Sequence, residues 1–99
     1  MSKQKSFDYY DLDINVVIVD DSDFVGKVVA KEGAVTIELR TEMEDWEIVH
    51  EVYHLFFVVM SIIHSADYMV YFLNLSDEPY AYSFHYLYRE VKKIHEELR

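Results

Sequence analysis

Ala34-Val35-Thr36-Ile37-Glu38-Leu39-Arg40-Thr41-Glu42-Met43-Glu44-Asp45-Trp46 is the stretch on which the fold turns. Its first half alternates. Val35, Ile37 and Leu39 share one face while Thr36, Glu38 and Arg40 share the other, the pattern of a strand with one buried side. From Thr41 the period changes. Thr41 can cap a helix N-terminus, with Glu44 three residues on as in a capping box. Glu42, Glu44, Asp45 and Glu47 load the first turns with the charge that a helix dipole favours there. Trp46, Val49, Val52, Tyr53, Phe56 and Met60 follow at helical spacing, and Trp46 reads as a core anchor near the helix start. Leu55 to Met60 is apolar all round, so the middle of this helix should be covered on several sides.

Upstream, Gly26–Ala30 reads as a second strand, joined to Ala34–Arg40 through Lys31-Glu32-Gly33, where Gly33 is free to take positive φ. Asn15–Val19 is a continuous β-branched run, as in a buried strand. Asp20-Asp21-Ser22-Asp23 ends it with turn chemistry. Without the closing glutamate of a calcium loop, this run reads as a solvated turn. Phe7–Asp13 alternates aromatic and acidic residues and reads as one edge strand or arm. Residues 1–6 read as a disordered tail, which leaves 7–99 as a single domain.

Downstream, the long helix stops near Ser65-Ala66-Asp67 or runs on to about Phe72, and Asn74–Asp77 reads as a break. Pro79 suits the first turn of a second helix, from about Glu78 to Leu98. Strands followed by helices give an α+β class: a small antiparallel sheet of three to four strands with two helices on one face.

The chain has 99 residues, 52% hydrophobic, which is enough for one core but not two. The absence of cysteine excludes disulfides and thiolate metal sites. With 9 Lys+Arg against 19 Asp+Glu the net charge is −10, which argues against nucleic acid and against an anionic membrane surface. The polar N-terminus has no signal-peptide core. The most apolar run, Leu55–Ile63, falls short of the ~20 residues of a membrane span. The expectation is a cytoplasmic protein, with aromatics enough for a homodimer face.

The chemistry sits in His50-Glu51-Val52-Tyr53-His54, an H-E-x-x-H motif. On a helix the two histidines lie about 40° apart after one turn, so both imidazoles can hold one Zn²⁺. Glu51, about 100° from His50, falls beside the metal as a general base toward zinc-activated water. A third ligand is needed. Glu78 opens the second helix and could be brought beside the first by an antiparallel turn, with Asp77 as the competing ligand. Tyr82 and His85 follow one and two turns on, as candidates to orient a ligand or bind a developing oxyanion. On a continuous helix His64 would lie about 15 Å beyond His54 and is discounted. His64 and His95 are expected to be partly exposed and without a role.

His-Glu-Val-Tyr-His followed by Asp77-Glu78-Pro79-Tyr80-Ala81-Tyr82 resembles the gluzincin metallopeptidases, above all very small phage- or prophage-encoded versions. The likeness covers roughly residues 34–90. It implies His50, His54 and Glu78 as zinc ligands and Glu51 as general base. It also implies that strand Ala34–Arg40 is the sheet edge along which an extended peptide substrate adds. Three functions follow for comparison. The first is a zinc-dependent peptidase. The second is a catalytically inactive module of phage origin, in which the metal staples a small core. The third is a metal-free acidic protein acting through its charge on a basic partner.

Overall fold

The computed structural model describes residues 3–20, 26–63 and 78–99, the last of these in its side chains from residue 81 onward. Four strands precede two helices: β1 (Lys3–Tyr9), β2 (Leu12–Val19), β3 (Gly26–Lys31), β4 (Ala34–Arg40), α1 (Asp45–Ile63) and α2 (Glu78–Leu98). The class is α+β, as the strand-then-helix order implies. The sheet order is β1-β2-β4-β3. The outer two ladders are antiparallel, and the central β2–β4 ladder is parallel, making the sheet mixed. Val19 pairs with Arg40 and Gly26 with Leu39, so the end of β2 and the start of β3 flank the same end of β4. β4 is therefore an interior strand. The exposed edges are β1 and β3, which corrects the expectation that Ala34–Arg40 forms the edge beside a cleft.

Two further corrections concern the N-terminal part. Lys3–Ser6 belong to β1, where they pair with Ile18–Asn15 and so are held by a ladder and not left as a tail. Phe7–Asp13 is not one strand. It contains a two-residue hairpin turn at Tyr10 and Asp11, both at positive φ (49° and 66°). That is the left-handed conformation favoured by tight hairpins, here adopted without glycine. In the β3–β4 hairpin Gly33 does take positive φ (73°), as its lack of a side chain allows.

One sheet face is buried. Ile14, Val16 and Ile18 of β2 and Val35, Ile37 and Leu39 of β4 meet Ile48, Val52, Leu55 and Val59 of α1 and Leu87, Val91 and Ile94 of α2. α1 lies over β3 and β4, and α2 over β1 and β2. The helices run antiparallel. Tyr88 and Lys92 reach Asp45 at the start of α1, whereas Phe84 packs on Tyr53 and Phe56 further along. Lys5 and Glu97 tie β1 to α2 at 2.7 Å.

The start of α1 is displaced from its expected place. Glu44, not Thr41, occupies the cap position: its carbonyl accepts from the Glu47 and Ile48 amides at 3.0 and 3.2 Å. Glu47 reaches back, its Oε1 accepting from the Glu44 amide at 2.9 Å, while its Oε2 accepts from Arg40 Nη2 at 2.6 Å. The capping-box carboxylate is thus Glu47, tied in turn to the end of β4. By length and composition α1 is apolar enough to cross a membrane, but in this fold one side of it is packed on the sheet.

Candidate metal centre

His50 and His54 are both exposed, on the outward side of α1, and their rings converge. Their Nε2 atoms lie 3.2 Å apart, with ring centroids at 4.8 Å and planes at 82°. Two Nε2 ligands bound to one tetrahedral zinc at about 2.0–2.1 Å each are separated by about 3.3–3.4 Å. The observed spacing is that of a hydrogen bond between the two rings, and it falls within about 0.2 Å of the separation a shared cation would need. The match follows from the i, i+4 spacing, which stacks the two side chains one turn apart.

Glu51 turns toward β3. It is buried, at 6% exposure, and its side chain lies over Gly26. It also forms one wall of an open pocket of about 150 Å³, together with Met43, Trp46, Glu47 and His50. A carboxylate and one imidazole of the pair thus face a common space. The Glu51 Cγ, Cδ and Oε1 atoms all lie against Gly26, so the start of β3 forms the floor under this carboxylate.

The other expected participants stand elsewhere. Tyr82 is 73% exposed, and His85 is also exposed. At 100° per residue Tyr82 lies about 160° round α2 from Phe84, the residue that faces α1. The side chains of Tyr82 and His85 both face solvent on α2, the helix that packs over β1 and β2 and against α1. The side chain of Glu78 and the whole of Asp77 and His64 lie outside the described residues, as does the expected end of the long helix beyond Ile63. Along the axis, Glu78 is about 9 Å from Phe84, toward the C-terminal part of α1 rather than its middle. Among the described residues no group of three or more metal-ligating side chains is assembled.

Two neighbouring expectations are corrected. Trp46 is no core anchor. It is 67% exposed and lines the pocket, because α1 turns Ile48, Val52, Leu55 and Val59 to the sheet and leaves the Trp46 side outward. His95 is buried, at 1% exposure, with Nε2 3.0 Å from the Arg40 carbonyl. A carbonyl only accepts, so that nitrogen carries the proton. Its signal was its position on the Leu87-Val91-Ile94 stripe. The pocket walls Met43 and Trp46, and the glycine under Glu51, were not legible as site residues.

The helix contact beside the pocket is electrostatically set. The Tyr88 hydroxyl, then Lys92, holds the Asp45 carboxyl below its ordinary range. Lys92 is pushed up, chiefly by its bond to Asp45. Tyr88 is raised by burial first and by Asp45 second. Compared with known proteins, the chain matches no family model, no curated protein and no solved structure.

Proposed function

We propose that the chain is a zinc-dependent hydrolase of the peptidase type. His50 and His54 hold the metal and Glu51 moves the proton; the sequence resemblance implies Glu78 as third ligand, although its place on α2 is level with the C-terminal part of α1. The observation that carries this reading is the pair of exposed imidazoles with Nε2 atoms 3.2 Å apart, one of them sharing a pocket with a buried carboxylate. Bound there, zinc would supply a Lewis acid for a scissile carbonyl and would make a neighbouring water acidic.

The chain's own residues divide the remaining work. Glu51 takes the proton from the attacking water and later passes it to the leaving amine. Its burial keeps it from competing solvent, and its separation from His50 by one residue keeps it off the metal. Met43 and Trp46 offer an apolar wall to a substrate side chain. Among the described residues β3 has no strand on its outer side, the edge along which an extended peptide would pair.

One observation favours a second reading, a metal-stapled binding module. Tyr82, the expected oxyanion donor, is 73% exposed, and among the described residues no third metal-ligating side chain joins the histidine pair. The two are separated by purifying the chain without added zinc, measuring metal by elemental analysis, and assaying a peptide library. About one zinc per chain with chelator-sensitive cleavage supports the hydrolase. Zinc that raises the melting temperature with no cleavage supports the staple. A metal-free chain contradicts both.

A further inference from the structure

Of the two glycines in the chain, only Gly33 has positive φ. Gly26 has an ordinary backbone, so its lack of a side chain answers no conformational need. It answers a spatial one. Gly26 pairs with Leu39, which pairs in turn with Ile18, so all three stand in one cross-strand row on the helix-facing side of the sheet. Leu39 and Ile18 fill that row with buried side chains. At Gly26 the row is empty, and Glu51 of α1 occupies the gap. A Cβ built there would stand 2.6 Å from Glu51 Cγ and 2.6 Å from Oε1, and would also collide with Cδ.

We propose that Gly26 is a positioning residue: the missing side chain at the start of β3 is the slot that holds the Glu51 carboxylate beside His50. The inference rests on the proposed role of Glu51 as proton acceptor, although the slot itself does not. Three successive atoms of the Glu51 side chain occupy the space a Cβ at 26 would take, so the position of this buried carboxylate follows the shape of the slot. The atoms a Cβ would strike are the far part of a flexible side chain, not backbone. Gly26→Ala therefore evicts Glu51 into solvent and leaves the sheet in place.

The test uses the full chain with Gly26→Ala, and with Lys27→Ala, which points to the opposite, exposed face, as control. The Glu51 carboxyl carbon, assigned by comparison with Glu51→Gln, is followed by ¹³C NMR. It moves in Gly26→Ala and stays in Lys27→Ala. Zinc content is unchanged, and kcat falls at least about tenfold while KM stays within about twofold, the mark of a group that acts in the transition state. Because Gly26→Ala could also weaken the fold, a double-mutant cycle with Glu51→Ala is measured by thermal melting. With Glu51 cut back the slot is free, so the cost of Ala at 26 disappears. Additive melting shifts, or an unmoved Glu51 resonance, overturn the proposal. If the wild-type chain cleaves nothing, the hydrolase reading fails, and the resonance and the cycle still decide the slot.

Discussion

Zinc should stabilise this chain through two named imidazoles, and by an amount that can be worked out. The Nε2 spacing of 3.2 Å is within about 0.2 Å of that of a shared tetrahedral cation, so binding would exchange the ring–ring hydrogen bond for the metal with little reorganisation of α1. The pair exists only on the folded helix, because an unfolded chain does not hold residues 50 and 54 on one face. Binding free energy is then folding free energy. With free zinc at about 100 times its dissociation constant, linkage adds about 2.7 kcal/mol. An unfolding entropy of about 2.1 cal/mol/K per residue converts this to a rise of about 13 °C for a domain of this length. The assay is thermal unfolding followed by circular dichroism, in chelator and then at increasing zinc, for wild type, His50→Ala, His54→Ala and the double variant. In chelator the four should melt within a few degrees of one another, since both rings are exposed. In zinc only the wild type should gain the full shift, and the double variant should gain none. An equal zinc shift in the double variant would place the metal elsewhere and refute the reasoning.

Three further outcomes are expected. Glu78→Gln should weaken zinc affinity at least about tenfold while Asp77→Asn leaves it unchanged, read by competition with a chromophoric chelator; the reverse order would make Asp77 the ligand. Leu55→Ala removes a fully buried side chain between α1 and the sheet and should cost about 2–5 kcal/mol in urea unfolding, whereas Tyr82→Ala, on an exposed side chain, should cost almost nothing. The folded state holds the Asp45 carboxyl low, through Tyr88 first and Lys92 second, so this contact stabilises above the ordinary carboxylate pKa of about 3.9 and is lost as pH falls through the folded value. Asp45→Asn should therefore lower the melting temperature at pH 7 and converge on wild type once the pH falls below the lowered pKa of the folded carboxyl; parallel curves would exclude the linkage.

Much of the fold was legible because local patterns and global packing agree. The alternation of Val35, Ile37 and Leu39 was read correctly, as all three are fully buried on one face. The second helix was placed at Glu78–Leu98, where Pro79 and the basic C-terminal half marked its two ends. The misread parts lacked a distinguishing signal. Tyr10 and Asp11 adopt a turn normally announced by asparagine and glycine, so the first hairpin looked like a single strand. Strand pairing is a non-local choice, and nothing in the alternation of β2 or β4 distinguishes a parallel from an antiparallel neighbour.

The stripe of α1 was ambiguous for a physical reason. The helix is apolar nearly all round, and one of its few charged residues, Glu51, lies on the buried side. Reading Trp46, Val49 and Tyr53 inward was thus as consistent with the sequence as the observed Ile48, Val52, Leu55 and Val59. The same rotation explains why the histidine pair was legible as a pair while its surroundings were not. An i, i+4 spacing fixes two residues relative to each other, but only tertiary packing fixes what they face. His95, expected to be partly exposed, has Lys92, Lys93, Glu96 and Glu97 as sequence neighbours. Its ring is buried because the Arg40 carbonyl satisfies its polar edge.

The most direct measurement is the turnover of Glu51→Gln beside its metal content. The substitution keeps the shape of the side chain in its slot over Gly26 and removes only its ability to accept a proton. The account predicts wild-type zinc stoichiometry with kcat reduced about 10²–10⁴-fold. Turnover equal to wild type at the same zinc content would contradict it.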